Sequence, residues 1–300
     1  MKYIVTGGRG FIGSHFVEEV IRRGDVVVDI DKMNYASHEI LPWDEHPNYT
    51  FLKADISEIT HLPSCDILVN FAAESHVDNS INDTDPFVKS NVLGVHNLLE
   101  LVRGKRSYAR PLFFHISTDE VYGDRAKGSF KESDKLTPSN PYSATKAAAE
   151  MLILAYARTY EVDFVITRSA NNYGPRQYEE KLISKSIASL KENKKIPIHG
   201  DGSYIRDWTY VKDNVEGILA IIDAGIKNEI YNIAAENHMT NLEVAYSVLD
   251  WFDKDKNSLM FVENRWGQDL RYSISSEKIR DLGWFPRHPK GLYKWFLIFF

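Results

Sequence analysis

The chain has one cysteine in 300 residues, no surplus of basic charge and no long apolar run. A lone Cys65 makes no internal disulfide, which excludes a disulfide-stapled scaffold and points to a reducing compartment. Beside Ile67-Leu68-Val69 it reads as a buried, inert thiol. Lys and Arg total 36 against 42 Asp and Glu, a net charge of -6, so the basic footprint of a nucleic-acid binder is missing. The most apolar stretch, Trp295-Phe296-Leu297-Ile298-Phe299-Phe300, is too short to cross a bilayer and reads as the end of a packed helix. Met1–Gly7 runs straight into a motif with no signal-peptide pattern. A cytoplasmic protein with neither membrane nor nucleic-acid partners is expected. The ten histidines form no cluster with metal-ligand spacing, so no metal site is expected. His76, His96 and His115 lie in or beside predicted core elements and read as satisfied, partly buried histidines rather than ligands.

With 43% hydrophobic and 26% charged residues the chain is an ordinary globular one. Short β-rich runs alternate with helical patterns, the signature of an α/β protein with a parallel sheet. Strands are expected at Lys2–Thr6, Val26–Ile30, Thr50–Lys53, Ile67–Asn70, Leu112–Ser117, Asp163–Arg168 and Ile230–Ile233. Helices are expected at Phe11–Arg23, Pro86–Val102, Tyr142–Tyr160, Glu180–Asn193, Val211–Ala224, Asn241–Phe252 and Glu277–Leu282.

The first strand closes on Thr6-Gly7-Gly8-Arg9-Gly10-Phe11-Ile12-Gly13-Ser14. Glycines at 7, 10 and 13 allow a tight turn, backbone close to a pyrophosphate, and a helix start close to the sheet. The helix N-terminus then offers free N–H groups to the anion. The second strand ends in Asp29-Ile30-Asp31. An acidic group there bonds a ribose 2′-hydroxyl and repels a 2′-phosphate, favouring NAD over NADP.

Tyr142 and Lys146 are four apart, hence on one helical face, where an ammonium can draw a phenol toward working range. Ahead of them lies His115-Ile116-Ser117-Thr118-Asp119-Glu120-Val121-Tyr122-Gly123. With the glycine motif, Phe71–Asp78, Asn171–Pro175 and Ile205–Trp208, the chain resembles the extended short-chain dehydrogenase/reductases that act on nucleotide sugars. Within them it is most similar to the dTDP-glucose 4,6-dehydratases, because related epimerases carry small residues where Asp119 and Glu120 stand. Trp266-Gly267-Gln268 and Leu270 depart from the family pattern.

The resemblance implies a doubly wound Rossmann domain (1–173 and 211–236) with a smaller α/β substrate domain (174–210 and 237–300). It implies a dehydratase cycle: oxidation at C4, elimination across C5 and C6, and hydride return to C6. Tyr142 would take the 4-hydroxyl proton, with Thr118 on the same oxygen and Lys146 on the nicotinamide ribose. Glu120 would be the base at C5 and Asp119 the acid at the 6-hydroxyl. For NAD the resemblance implies Gly7, Gly10, Phe11, Ile12, Gly13, Asp31, Lys32, Met33, Asn34, Asp55, Ile56, Ala72, Ala73, Ser75, Ser90, Tyr142, Lys146 and Asn172. For the nucleotide-diphosphate sugar it implies Ser75, Thr118, Asn171, Lys181, Leu182, Pro197, Ile198, His199, Arg206, Asn241, Arg271 and Tyr272, with both arginines suited to the diphosphate. His199 sits where an aromatic residue is common near the base, so thymine and uracil both stay open. A homodimer through a four-helix bundle is implied as well.

Overall fold

A computed structural model describes residues 1–264 and 269–294. The first half runs β1 (Lys2–Thr6), α1 (Phe11–Arg22), β2 (Val26–Asp31), β3 (Tyr49–Lys53), β4 (Ile67–Asn70), α2 (Val77–Asn82), α3 (Asp85–Phe87), α4 (Gly94–Arg103), β5 (Leu112–Thr118) and α5 (Pro141–Tyr160). Then follow β6 (Phe164–Ser169), β7 (Asn171–Tyr173), α6 (Leu182–Lys191), β8 (Ile196–His199), β9 (Ile205–Tyr210) and α7 (Val211–Asp223). The last described elements are β10 (Glu229–Ile233), β11 (His238–Thr240), α8 (Asn241–Trp251), β12 (Leu259–Val262) and α9 (Glu277–Arg280).

Seven parallel strands make the main sheet, in the order β10-β6-β5-β4-β1-β2-β3. Their runs are apolar almost throughout because helices cover both faces. Tyr3 and Val5 pack with Phe16, Val20, Ile218 and Ile222 from α1 and α7. Ile4 and Leu68 pack with Leu98, Val102 and Ile153 from α4 and α5. Chain order reverses between β1 and β4, and such a reversal opens a crevice at the strands' carboxyl ends.

The expected helix Pro86–Val102 is not one regular helix. Between α3 and α4 the residues Val88–Leu93 form a π-helical stretch. The wider turn coincides with an inward-pointing Asn91. Its Oδ1 accepts from Glu74 N at 2.9 Å, and its Nδ2 donates to Glu74 O and to Thr145 Oγ1, both at 3.0 Å. This ties the Phe71–Ser75 loop to α5, and π turns often mark functional sites.

Beyond the main sheet, β7 and β9 pair in parallel and β11 joins β9 antiparallel, while β8 pairs with β12. Helices α6 and α8 cover these strands with Ile183, Ile187, Val244 and Val248. The stretches Trp266–Gln268 and Trp295–Phe300 lie outside the described residues. Among the described residues no helix is long and apolar enough to cross a membrane.

Candidate active site

The glycine turn is sterically committed. A Cβ on Gly13 would stand 2.2 Å from Gly7 O, and one on Gly7, at φ +72, would stand 2.6 Å from Ala72 N. Helix α1 starts after Gly10 with no side-chain cap. Its first amides have no intrahelical acceptor and so are available to a ligand. They adjoin a cavity of about 230 Å³ whose wall contains every residue expected for the cofactor except Met33 and Asn172. Met33 instead supports the turn from a left-handed backbone, donating its N–H to Asp31 Oδ1 at 2.8 Å. Asn172 lines the neighbouring cavity. The Asp31 carboxylate also accepts from Arg9 N and Ser37 Oγ, which fixes it at the mouth of β2. Lys32 is engaged by Glu74 at 2.5 Å and donates to Ser90 Oγ at 2.9 Å.

A second cavity, of about 300 Å³, meets the first across Phe11, Ile12, Ser75, Ser117 and Tyr142. Its wall holds every residue expected for the sugar nucleotide except Arg271. Arg271 turns away, its guanidinium donating to the carbonyls of Arg125 at 3.1 Å and Gly128 at 2.7 Å. Arg206 does line the cavity. It lies 4.2 Å from the centroid of the Tyr272 ring and donates to the Asp269 carbonyl at 2.9 Å. Sequence reasoning missed Trp208, Gln177, Glu180 and Lys185 in this wall. Gln177 and Glu180 come from a loop and Trp208 from the short strand β9, whose patterns carry no apolar period, while Lys185 is a polar position of α6. Asp119 Oδ2, Asn171 Oδ1 and Trp208 Nε1 are buried here without a partner among the described residues. Orphaned polar atoms in a cavity wall mark places for a polar ligand.

The residues expected to react converge where the two cavities meet. Thr118 ends β5 and caps a short turn from Asp119 to Tyr122, accepting at Oγ1 from Glu120 N. Asn140 and Ser143 form a capping box at the start of α5, and Pro141 occupies its first turn. That cap sets Tyr142 and Lys146 on the first two turns, both buried.

Burial governs the charges. Desolvation holds Asp119 well above the usual carboxylate range, with the Glu120 charge adding to it. Desolvation raises Glu120 too, while Arg206, Lys181 and the Asn140 amide pull it back. The Tyr142 phenol is raised by burial and then by Glu120 and Asp119, with the Thr118 hydroxyl opposing. The charges that act on this phenol are thus carboxylates, where the sequence suggested an ammonium. Lys146, drawn down to about 8 by burial, donates instead to Ile116 O at 2.7 Å and meets His115 Nε2 at 3.3 Å.

Comparison with known proteins places this geometry. The family model for GDP-mannose 4,6 dehydratase matches residues 4–289. The low-salt glycan biosynthesis protein Agl12 of Haloferax volcanii is 42% identical over 293 residues, covering 95% of this chain and 94% of its own. A dTDP-glucose 4,6-dehydratase of Neisseria gonorrhoeae is 38% identical over 314 residues, covering 94% and 90%. The crystal structure of DesIV, a dTDP-glucose 4,6-dehydratase from Streptomyces venezuelae with NAD and TYD bound, matches with a TM-score of 0.93 at 38% identity, covering 99% of this chain and 94% of that one.

Proposed function

This chain belongs to the GDP-mannose 4,6-dehydratase family, and from that premise we propose that it converts dTDP-glucose to dTDP-4-keto-6-deoxyglucose and water as an NAD-dependent hydro-lyase. The observation that carries this reading is the adjacent pair Asp119 and Glu120, set in the cavity wall beside Tyr142 in unequal surroundings.

The residues of the first cavity fit NAD. The uncapped α1 N-terminus and bare Gly10 suit a pyrophosphate, and Asp31 suits an unphosphorylated ribose. When bound, NAD would accept the C4 hydride and give it back at C6. Tyr142 Oη would take the proton of the 4-hydroxyl as a phenolate, a form that the positive charge of bound nicotinamide would favour against burial and the two carboxylates, and Thr118 Oγ1 would hold the same oxygen. The 4-ketone acidifies C5, whose proton passes to Glu120 and returns to C5 as the hydride reaches C6. Asp119, kept protonated by burial, hands its proton to the departing 6-hydroxyl, so water leaves as a neutral molecule. Like charges at adjacent positions drive such a division of protonation states. Arg206, with Lys181 and Lys185, supplies positive charge for the diphosphate.

We read residues 1–173 with 211–236 as the cofactor-binding unit and 174–210 with 237–300 as the substrate unit. We also infer a homodimer through α4 and α5. Val88 and Leu93, in the stretch leading into α4, and Met151 on α5 are large, apolar and exposed, and the small Ala144 and Ala155 of α5 are exposed as well. The single thiol, Cys65, is raised to about 11 by burial, which suits an unreactive cysteine in a reducing cytoplasm.

The test is to incubate the protein and NAD with dTDP-glucose or with UDP-glucose and to weigh the products. Loss of one water with no net NADH is expected, and the faster substrate fixes the base. An unchanged mass with inverted stereochemistry would overturn the reading in favour of an epimerase.

A further inference from the structure

Three cross-strand neighbours toward the carboxyl end of the sheet are polar, each directly after an apolar run on its own strand. Thr6 on β1 faces Asn70 on β4, and Asn70 faces His115 on β5. All three are buried. Thr6 Oγ1 donates to Asn70 Oδ1 at 2.5 Å, the Asn70 amide meets His115 Nδ1 at 3.0 Å, and His115 Nε2 meets Lys146 Nζ at 3.3 Å. Polar groups in a sheet interior are costly unless each is bonded. Here the bonds lead to one place, the lysine of the active site.

An ammonium has three protons and no lone pair. Lys146 gives one to the Ile116 carbonyl at 2.7 Å. His115 Nε2 stands where it can take a second, which leaves the third for the cofactor cavity that Lys146 helps to line. A ring nitrogen accepts only when it carries no proton. His115 is held neutral, because burial and the Lys146 charge keep its pKa well below the usual value. A bare Nε2 therefore requires the proton on Nδ1. That tautomer goes with the other orientation of the Asn70 amide, in which its oxygen and nitrogen change places while every neighbour stays put. Oδ1 then accepts the Nδ1 proton, and the NH2 donates to Thr6 Oγ1 in place of the Thr6 hydroxyl donating to Oδ1.

We propose that His115 is a positioning residue for Lys146: fixed by Asn70 as the Nδ1–H tautomer, it accepts one ammonium proton at Nε2 and so aims the last one into the cofactor cavity. The carboxylate acting on Lys146 is Glu150, one turn further along α5. It attracts the charge without replacing the acceptor, since both its oxygens are taken by Arg168 and Ser117.

Two measurements test this. In the protein labelled with nitrogen-15 histidine, the His115 ring, assigned by its loss from the H115Q spectrum, is expected to show a bare Nε2 and a protonated Nδ1. A protonated Nε2 overturns the proposal, whatever reaction the site runs. The kinetic arm rests on the dehydratase reading. His115→Gln places an amide oxygen near the Nε2 position and is expected to hold kcat within about 5-fold of the parent. His115→Met has the same reach without that acceptor and is expected to lose about 100-fold in kcat, with KM for the sugar nucleotide changed by less than about 2-fold. A Met variant at the parent rate, or equal losses in both that track their thermal midpoints, overturns the proposal. Failure of the parent itself to release water would remove the proposed reaction and leave the tautomer result standing.

Discussion

Asp119 and Glu120 are neighbours in the chain but not in their surroundings. The Asp119 carboxyl is 3% exposed and its Oδ2 has no partner among the described residues. One residue on, Glu120 Oε2 accepts from Asn140 Nδ2 at 3.4 Å and from Tyr272 Oη at 3.5 Å. Arg206 and Lys181 act on Glu120 to favour its anion. Of the two, Asp119 keeps its proton at a pH where Glu120 has given one up. That order suits an acid at the leaving hydroxyl and a base at C5.

Glu120→Gln should therefore separate the half-reactions. Oxidation at C4 survives, so reduced cofactor builds up at 340 nm, while water release falls by about 10²–10⁴-fold. Asp119→Asn should slow the same elimination and leave C5 proton exchange with deuterated solvent in place. Water release at the parent rate in the Gln variant would remove Glu120 from the role of base.

The two arginines expected at the diphosphate should behave differently. Arg206→Lys loses the flat stack on Tyr272 and the fork of donors, and KM for the sugar nucleotide should rise by about 10- to 100-fold. Arg271→Lys breaks contacts to the Arg125–Gly128 turn, outside the cavity wall. Its effect should fall on thermal stability, by about 1–2 kcal/mol, with KM nearly unchanged. Equal rises in KM would show that the turn opens and Arg271 swings in to the substrate.

The exposed side of α4 and α5 gives a third expectation. Ala148 and Met151 lie one turn apart on α5, and Leu93 stands immediately before α4. Leu93 is 54% and Met151 49% exposed, unusual for large apolar side chains on two packed helices. Met151→Glu places a charge in the inferred interface and should convert a dimer to a monomer in sedimentation velocity runs at micromolar protein. A parent that sediments as a monomer would remove the interface altogether.

The glycine turn, the parallel strands and the Tyr142–Lys146 spacing were legible because each rests on a local pattern. Strand β9 was not, since Ile-Arg-Asp-Trp-Thr-Tyr buries Arg206, Asp207 and Thr209 among its apolar residues. Strands β7 and β11 have three residues each, too few to show a period. The π stretch escaped because the bond that accompanies it, between Asn91 and the Glu74 backbone, ties it to a loop 17 residues away. The same limit hid the setting of Lys146. A four-residue spacing predicts a shared face with Tyr142, but not that the ammonium turns to Ile116 O and His115.

Asp29 gives a prediction that does not depend on catalysis. It is buried under the glycine turn, where its carboxyl accepts from Gly8 N at 3.0 Å and from Tyr49 Oη at 2.8 Å. Desolvation, the largest influence, raises it from 3.8 to about 7. Between those pH values the folded chain binds a proton that the unfolded chain has lost. Stability from this group is therefore greatest below the unfolded pKa and declines as pH rises through the folded one. Above neutrality the penalty reaches on the order of 4 kcal/mol at most. Asp29→Asn keeps an oxygen for Gly8 N and offers an NH2 to Tyr49 Oη, so both contacts persist without the charge. At a fixed NAD concentration, the melting points of variant and parent should draw together as pH falls toward 4, and the variant should melt increasingly higher as pH rises from there to 8. Asp207, raised by burial to about 7 as well, leaves a residual slope in the variant. Parallel melting curves across that range would show that Asp29 is ionised in the fold throughout, with the Gly8 and Tyr49 donors strong enough to offset its burial.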